Sequence, residues 1–364
     1  MMQAYFKNNN KNKMAIFDVF YRKNPMDGGY AISAGLEQVI EYINNLHFTE
    51  DDINYLASLK IFEDDFLDYL KNFKFTGDIH AIPEGSVMFP REPMLKVIAP
   101  IMEAQFIETA ILNILNHQSL IATKAARICY AAEGDGIMEF GLRRAQGPDA
   151  GIYGARAAVI GGCAGTSNVL TGQMFDVPVM GTHAHSWIMS FDDEYTAFYT
   201  YAKLYPMACT LLVDTYDTLN SGVPNAIKVF KQIKKEGIEL KNYGIRLDSG
   251  DLAYLSKKAR KMLDDAGFKD ATITASNDLD EFLIASLKMQ GAEITNWGVG
   301  TNLITSKDCP SFWWRFINLQ LLWKMEKTLH LKSNFQTIAK KLQTLEIRKF
   351  TEFMKRKITR LRLI

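Results

Sequence analysis

The chain lacks any paired-cysteine motif: Cys129, Cys163, Cys209 and Cys309 lie far apart with no CxxC among them. That excludes a disulfide framework and a cysteine zinc site, and reads as the reduced thiols of a cytoplasmic protein. No apolar run reaches the ~18 residues of a membrane-spanning helix, and the first residues lack the basic-then-apolar pattern of a secretory signal. A formal net charge of +1 gives no whole-chain reason to expect nucleic acid or an anionic membrane as partner. Also absent are a Walker loop, a GxGxxG opening a βαβ unit, and the GxSxG elbow of acyl-transferring hydrolases. What remains is a chain of 364 residues, 48% hydrophobic and 23% charged, ordinary for a globular protein. That length suits two domains, or one large α/β barrel with an appendage.

The even composition hides a break. Residues 311–364 hold 13 Lys+Arg against 3 Glu, with no Asp, Gly or Pro, whereas all 24 Gly and all 10 Pro fall before residue 311. An average stretch of that length would contain about four glycines. One reading is a basic helical arm for RNA or lipid. The other is that residues from about 313 are an out-of-frame translation. Codons can be chosen for Phe316–Glu326 and for Leu342–Lys355 so that one shifted frame restores a glycine- and proline-bearing text. On that reading the tail, 313–364, has no designed apolar face and cannot complete β structure.

Residues 1–105 read as a mixed α+β domain. Ala15 to Tyr21 is a β-prone run ending at a Pro/Gly turn, and Leu36, Val39, Ile40 and Ile43 recur at helical spacing after Ser33, a capping residue. Segments 74–82 and 86–99 read as edge strands, the second broken by Pro90 and Pro93. A long helical run spans Ile101 to Cys129.

From residue 134 the text becomes rhythmic. Short apolar runs end in polar signatures: FGLRRAQGPDAG, GTSN, GTHAHS, VDTYD, RLDSGD, SNDLD and GVGTN. Successive positions Arg143, Ser167, His185, Asp214, Asp248, Asn277 and Gly298 are separated by 24, 18, 29, 34, 29 and 21 residues. Those are β-α unit lengths, and polar residues just after each strand gather at the C-terminal face of a barrel. The expected fold over 106–312 is therefore an irregular (β/α) barrel.

The chemistry should lie on that face. GVGTN offers Gly298, Gly300 and Thr301 to an anion, and SNDLD sets Ser276 and Asn277 at a helix N-terminus; either is equally readable as an ordinary turn or cap. Asp214 and Asp248 could bind a metal–phosphate or sugar hydroxyls, while Asp251 reads as a helix cap. Arg143 beside Phe140 could hold a carboxylate or diphosphate as the ring stacks on a flat substrate; the alternative is solvated surface. His183 and His185 alternate, so one of them faces the mouth if the strand continues. No third ligand sits at metal spacing, which argues against direct protein–metal bonds. His185 backed by Ser186 and facing phosphates is the sharper reading; a structural histidine is the other.

These motifs resemble the nicotinate phosphoribosyltransferase family. FDVFYRKNP, GGYAISAGLEQVIEYI, EFGLRRAQGPDAG, GTHAHSWIMSF, VDTYDTLNSGVPNAI, RLDSGDL and GVGTNLITSKDCPSF carry the likeness over roughly residues 3–312. It implies a type II phosphoribosyltransferase fold, an N-terminal α+β domain beside an irregular barrel, working as a cytoplasmic homodimer in NAD biosynthesis. The implied reaction joins nicotinate to 5-phosphoribosyl diphosphate with coupled ATP hydrolysis and Mg²⁺, involving neither nucleic acid nor membrane. By the resemblance, His185 is the transiently phosphorylated histidine, Phe140 stacks on the pyridine and Arg143 holds it. Arg246 and Asp248 contact the ribose–diphosphate with Asp214 assisting. Gly298, Gly300, Thr301, Ser276 and Asn277 take the 5′-phosphate, and Ser167 bears on the choice of pyridine.

The ends depart from the family pattern. A segment like TDLYQLTM, whose tyrosine stacks on the pyridine across the dimer, precedes the counterpart of MQAYF in the family and is not in this sequence. After SKDCPSF the family continues GGVYK where this chain has Trp313-Trp314. Two alternatives stay open at this point: a nicotinamide- or quinolinate-using relative, and an inactive, truncated and frameshifted copy.

Overall fold

The computed structural model describes residues 1–312, 314–318 and 359–361. They divide into two compact units, Met1–Leu120 with the residues from Ser311 onward, and Ile121–Pro310. The division falls within one continuous helix, Glu108–Ala131.

In the first unit, β1 (Met14–Tyr21), β2 (Ala31–Ile32), β3 (Asp78–Ala81), β4 (Val87–Met88) and β5 (Leu95–Pro100) form antiparallel pairs. β5 pairs β1 on one side and β3 on the other, so it is central and not an edge strand. Pro90 and Pro93 fall in the turn before it, and its own proline is its last residue, where no further ladder donor is needed. Along it Leu95, Val97 and Ala99 are buried, the period-2 pattern of a strand with one face on a core. The helix Leu36–Asn44 is not capped by Ser33; Glu84 Oε1 accepts from the Gly35 and Leu36 N–H groups at 2.6 and 3.0 Å.

The second unit holds β6 (Gly136–Glu139), β7 (Gly165–Thr166), β8 (Thr210–Leu212), β9 (Gly244–Leu247), β10 (Thr272–Ala275) and β11 (Asn296–Val299). All pairs are parallel, in the order β7-β6-β11-β10-β9-β8. Buried Leu211, Ile245, Leu247, Ile273, Trp297 and Val299 fill it. The anticipated strand before GTHAHS is reduced to one bridge, Thr166 to Val179. Among the described residues no ladder joins that segment to β8, so the barrel is irregular at this seam.

Two further strands, β12 (Trp314–Asn318) and β13 (Thr359–Leu361), extend the first unit's sheet to the order β12-β1-β5-β3-β13. β12 pairs β1 from Phe17↔Asn318 to Tyr21↔Trp314. The expectation that the tail completes no β structure fails for these two backbone segments. The rest of the tail expectation, Trp313 included, lies outside the described residues. Among the described residues no helix is long and apolar enough to cross a membrane.

Candidate active site

The ends of β8, β9 and β10 converge through side-chain hydrogen bonds. Arg246, on β9, spends its guanidinium in three directions: Nε donates to Ser276 Oγ at 2.9 Å, Nη1 to Thr182 Oγ1 at 2.7 Å, and Nη2 to Asp248 Oδ1 at 2.9 Å. Ser276 Oγ donates in turn to Asp248 Oδ1. A fork of donors held by three acceptors is a fixed plane of positive charge.

Asp214, two residues beyond β8, is the next link. Its side chain is 1% exposed. Oδ2 accepts from the Asp248 N–H at 2.8 Å and the Ser249 hydroxyl at 2.6 Å, and Oδ1 faces His185 Nε2 at 3.3 Å. His185 opens a short helix, His185–Met189, with its side chain 40% exposed. A buried carboxylate on Nε2 orients the ring and leaves Nδ1 for chemistry.

Phe140 follows β6, its N–H donating to Val299 O at 2.8 Å, and the Arg246 guanidinium carbon lies 6.0 Å from its ring centroid. Gly298 makes room for that ring: a Cβ there would fall 2.7 Å from two ring carbons. Gly298 is thus the third residue of β11, just before the strand ends. Gly300 abuts the Phe140 carbonyl, and Thr301 begins the helix Thr301–Ile304.

Ser276 and Asn277 are likewise not at a helix N-terminus. The next helix starts at Glu281 with Asp280 as its cap, because Ser276 ends β10 and Asn277, exposed, turns the chain at φ +92°. Asp251 does cap a helix, accepting from the Tyr254 N–H at 3.0 Å. Arg143 and Ser186 are exposed and Ser167 is half-buried. No side-chain bond joins these three to the network among the described residues. No group of three His, Cys, Asp or Glu among the described residues could hold a metal ion.

Several participants escaped the sequence reading. Thr182 and Ser249 sat inside quoted motifs without being singled out. Glu139 looked like the last residue of a strand, yet it is a fully buried carboxylate that accepts from the Gly141 N–H and, at 2.6 Å, from the Thr166 hydroxyl. Burial pushes its pKa up, and the two donors pull it back. Asn302 Nδ2 donates to Asp278 O and Leu279 O at 2.8 and 3.1 Å, fixing the loop after β10. Only the distance from Ser276 to the next helical pattern hinted at such a loop.

The chain is similar to known proteins in sequence and fold. Residues 1–116 match the family model described as the nicotinate phosphoribosyltransferase N-terminal domain, and residues 136–314 match the nicotinate phosphoribosyltransferase family. The chain is 51% identical to a nicotinate phosphoribosyltransferase of Bacillus subtilis over 336 residues, covering 92% of this chain and 68% of that protein. The crystal structure of human nicotinic acid phosphoribosyltransferase is similar, with a TM-score of 0.78 and 29% identity over 87% of this chain and 72% of that one. A Pyrococcus furiosus structure titled nicotinate-nucleotide pyrophosphorylase shares the fold, with a TM-score of 0.68 at 24% identity over 86% of this chain and 71% of that one. The chain spans 61 to 68% of the length of the curated relatives it matches. The chain belongs to the nicotinate phosphoribosyltransferase family, a family of enzymes.

Proposed function

We propose that this chain joins nicotinate to 5-phosphoribosyl diphosphate, releasing nicotinate mononucleotide and diphosphate, with ATP hydrolysis coupled through His185. One observation carries the reading: a continuous set of contacts runs from Phe140 through Arg246, Asp248 and Asp214 to His185. That set places a ring for stacking, a fixed cation and an oriented imidazole within one face, as a flat substrate, a diphosphate and a phosphoryl donor require.

In the transfer step the pyridine nitrogen forms a bond to the anomeric carbon while the carbon–oxygen bond to diphosphate breaks, the electron pair leaving with diphosphate. Phe140 stacks on the ring, and Arg143, exposed and unpaired among the described residues, holds the carboxylate. Arg246 and Asp248 orient the ribose and diphosphate. Gly300, Thr301, Ser276 and Asn277 receive the 5′-phosphate. No general base is needed, because the attacking nitrogen carries a free lone pair.

Mg²⁺ would be held mainly by the diphosphate: Asp214 is buried with both oxygens engaged by Asp248, Ser249 and His185, Asp248 is the more open carboxylate, and no group of three His, Cys, Asp or Glu among the described residues forms a metal cage. The ion would supply charge neutralisation on the leaving diphosphate. For the coupled step, Nδ1 of His185 forms the nitrogen–phosphorus bond as the bond to ADP breaks, and water later releases phosphate. Asp214 on Nε2 stabilises the ring as its charge changes. We place the working protein in the cytoplasm as a homodimer.

The test is direct. Purified chain with nicotinate, 5-phosphoribosyl diphosphate, Mg²⁺ and ATP should yield nicotinate mononucleotide and ADP by chromatography. A folded chain that makes no product from nicotinate, or that makes it only from nicotinamide, overturns the assignment.

A further inference from the structure

We propose that His183 is a positioning residue: its imidazole replaces a missing rung of the barrel ladder and so sets the register in which His185 faces Asp214. The functional part of this rests on the reading of His185 given above. The chain reaches His183 from a single bridge at Val179, and no ladder pairs this segment with β8 among the described residues. At that seam His183 Nε2 accepts from the Leu212 N–H at 3.2 Å. Two residues further along both segments, His185 Nε2 meets Asp214 Oδ1 at 3.3 Å. Both contacts join residues 29 apart in sequence, as successive rungs of one parallel pair do.

The ring is held in place. It is 8% exposed, packs edge-on against Tyr201 with centroids 4.6 Å apart, and lies 6.2 Å from Phe198. The same segment ties to the anion site, since Arg246 Nη1 reaches Thr182 Oγ1 at 2.7 Å and His183 O at 3.5 Å. A nitrogen that accepts a backbone N–H carries no proton, so in the neutral ring the proton sits on Nδ1. Burial, against a raising backbone contact at Ala184 and aided by the nearby Arg246 and His185, pushes this imidazole down to about 4 and keeps it neutral. His183 thus differs in kind from His185: one is a fixed acceptor inside the wall, the other an open ring at the mouth.

Leucine at this position fills the space and leaves the Leu212 N–H without an acceptor. Glutamine returns an acceptor oxygen close to where Nε2 lies. The experiment pairs a spectroscopic readout with a kinetic one. Two-bond proton–nitrogen spectra of the intact chain at pH 7 should show His183 as the Nδ1–H tautomer. His185 labelling by γ-labelled ATP should slow about tenfold in His183→Leu and recover mostly in His183→Gln, while ATP-independent transfer stays within about twofold. A ring found protonated or in the Nε2–H form at pH 7 overturns the proposal. So do wild-type labelling in folded His183→Leu, equal losses in the two variants, or label found on His183 itself. If the unmodified chain takes no label at all, the phosphorylation of His185 fails, while the tautomer still decides the rung.

Discussion

The two sides of the strand-end face are built differently. At β8, β9 and β10, every nitrogen of the Arg246 guanidinium has an acceptor, Asp214 has three donors or partners, and Ser276 closes the set. At β6 and β7, Arg143 is exposed and Ser167 half-buried, with no side-chain bond to that set among the described residues. The first side is arranged by its own side-chain bonds without a ligand; the second has no such bonds among the described residues to fix its side chains. On the proposed function, which pairs a flexible, highly charged diphosphate with a rigid flat acid, fixing the cationic half in advance spares the cost of ordering charged side chains at the moment of reaction.

Breaking the fixed side should hurt most. Arg246→Ala removes the plane that joins three loops, and kcat/KM with 5-phosphoribosyl diphosphate should fall about 10²–10³-fold, read in steady-state kinetics. A loss below tenfold would mean the arrangement serves folding, not transfer. Acid also tests this side through His183. In the folded chain its imidazole lies at about 4, against about 6.5 when unfolded. The unfolded state therefore takes up the proton first, and on the order of 3 kcal/mol of stability, present above pH 6.5, is lost as pH falls towards 4. Urea unfolding at pH 7 and pH 4.5 should show a larger drop in the unmodified chain than in His183→Gln, which keeps the buried His117 with its own lowered pKa; an equal drop in both chains refutes it.

The open side should answer in specificity. Ser167→Asp puts a carboxylate beside the pyridine's own, so nicotinate use should fall roughly 10²-fold more than nicotinamide use. Equal losses for the two pyridines would leave only a shape effect. Gly298→Ala probes the junction between the sides. Its Cβ would lie 2.7 Å from the Phe140 ring, so KM for nicotinate should rise about tenfold with the KM for 5-phosphoribosyl diphosphate little changed. A parallel rise in both would show that the crowding spreads through β11 instead of staying at the ring.

The sequence carried the strand ends well and their cross-links poorly. Asp248, Asp214 and His185 were legible because each follows a short apolar run at β-α spacing, and strand ends of a parallel sheet share a face; Arg246, inside β9, came only from the family resemblance. What spacing does not encode is which neighbour each side chain finds. Asp248 and Ser276 are 28 residues apart, and only the register of β9 with β10 brings them together. Gly298 looked like loop because glycine signals turns more often than it signals a ring lying against a strand. The segment before His183 looked like a strand, and its apolar pattern could not reveal that one bridge would replace a ladder. The basic tail was legible as a change of composition, and the family match ends at residue 314. The genomic bases flanking that point decide between a shifted frame and a genuine arm.

The vacancy at Gly298 has a consequence for descent as well as for binding. Phe140 occupies the space that a side chain on β11 would need, so the two positions are coupled by packing though they lie far apart in the chain. A lineage that trims the ring at 140 opens a hole beside Ser276, and one that adds even a methyl at 298 must first surrender the ring. Each change alone costs packing, so the pair should tolerate exchange best together, for instance a smaller residue at 140 with alanine at 298, and the ring at 140 keeps its place through a residue that offers it no side chain of its own.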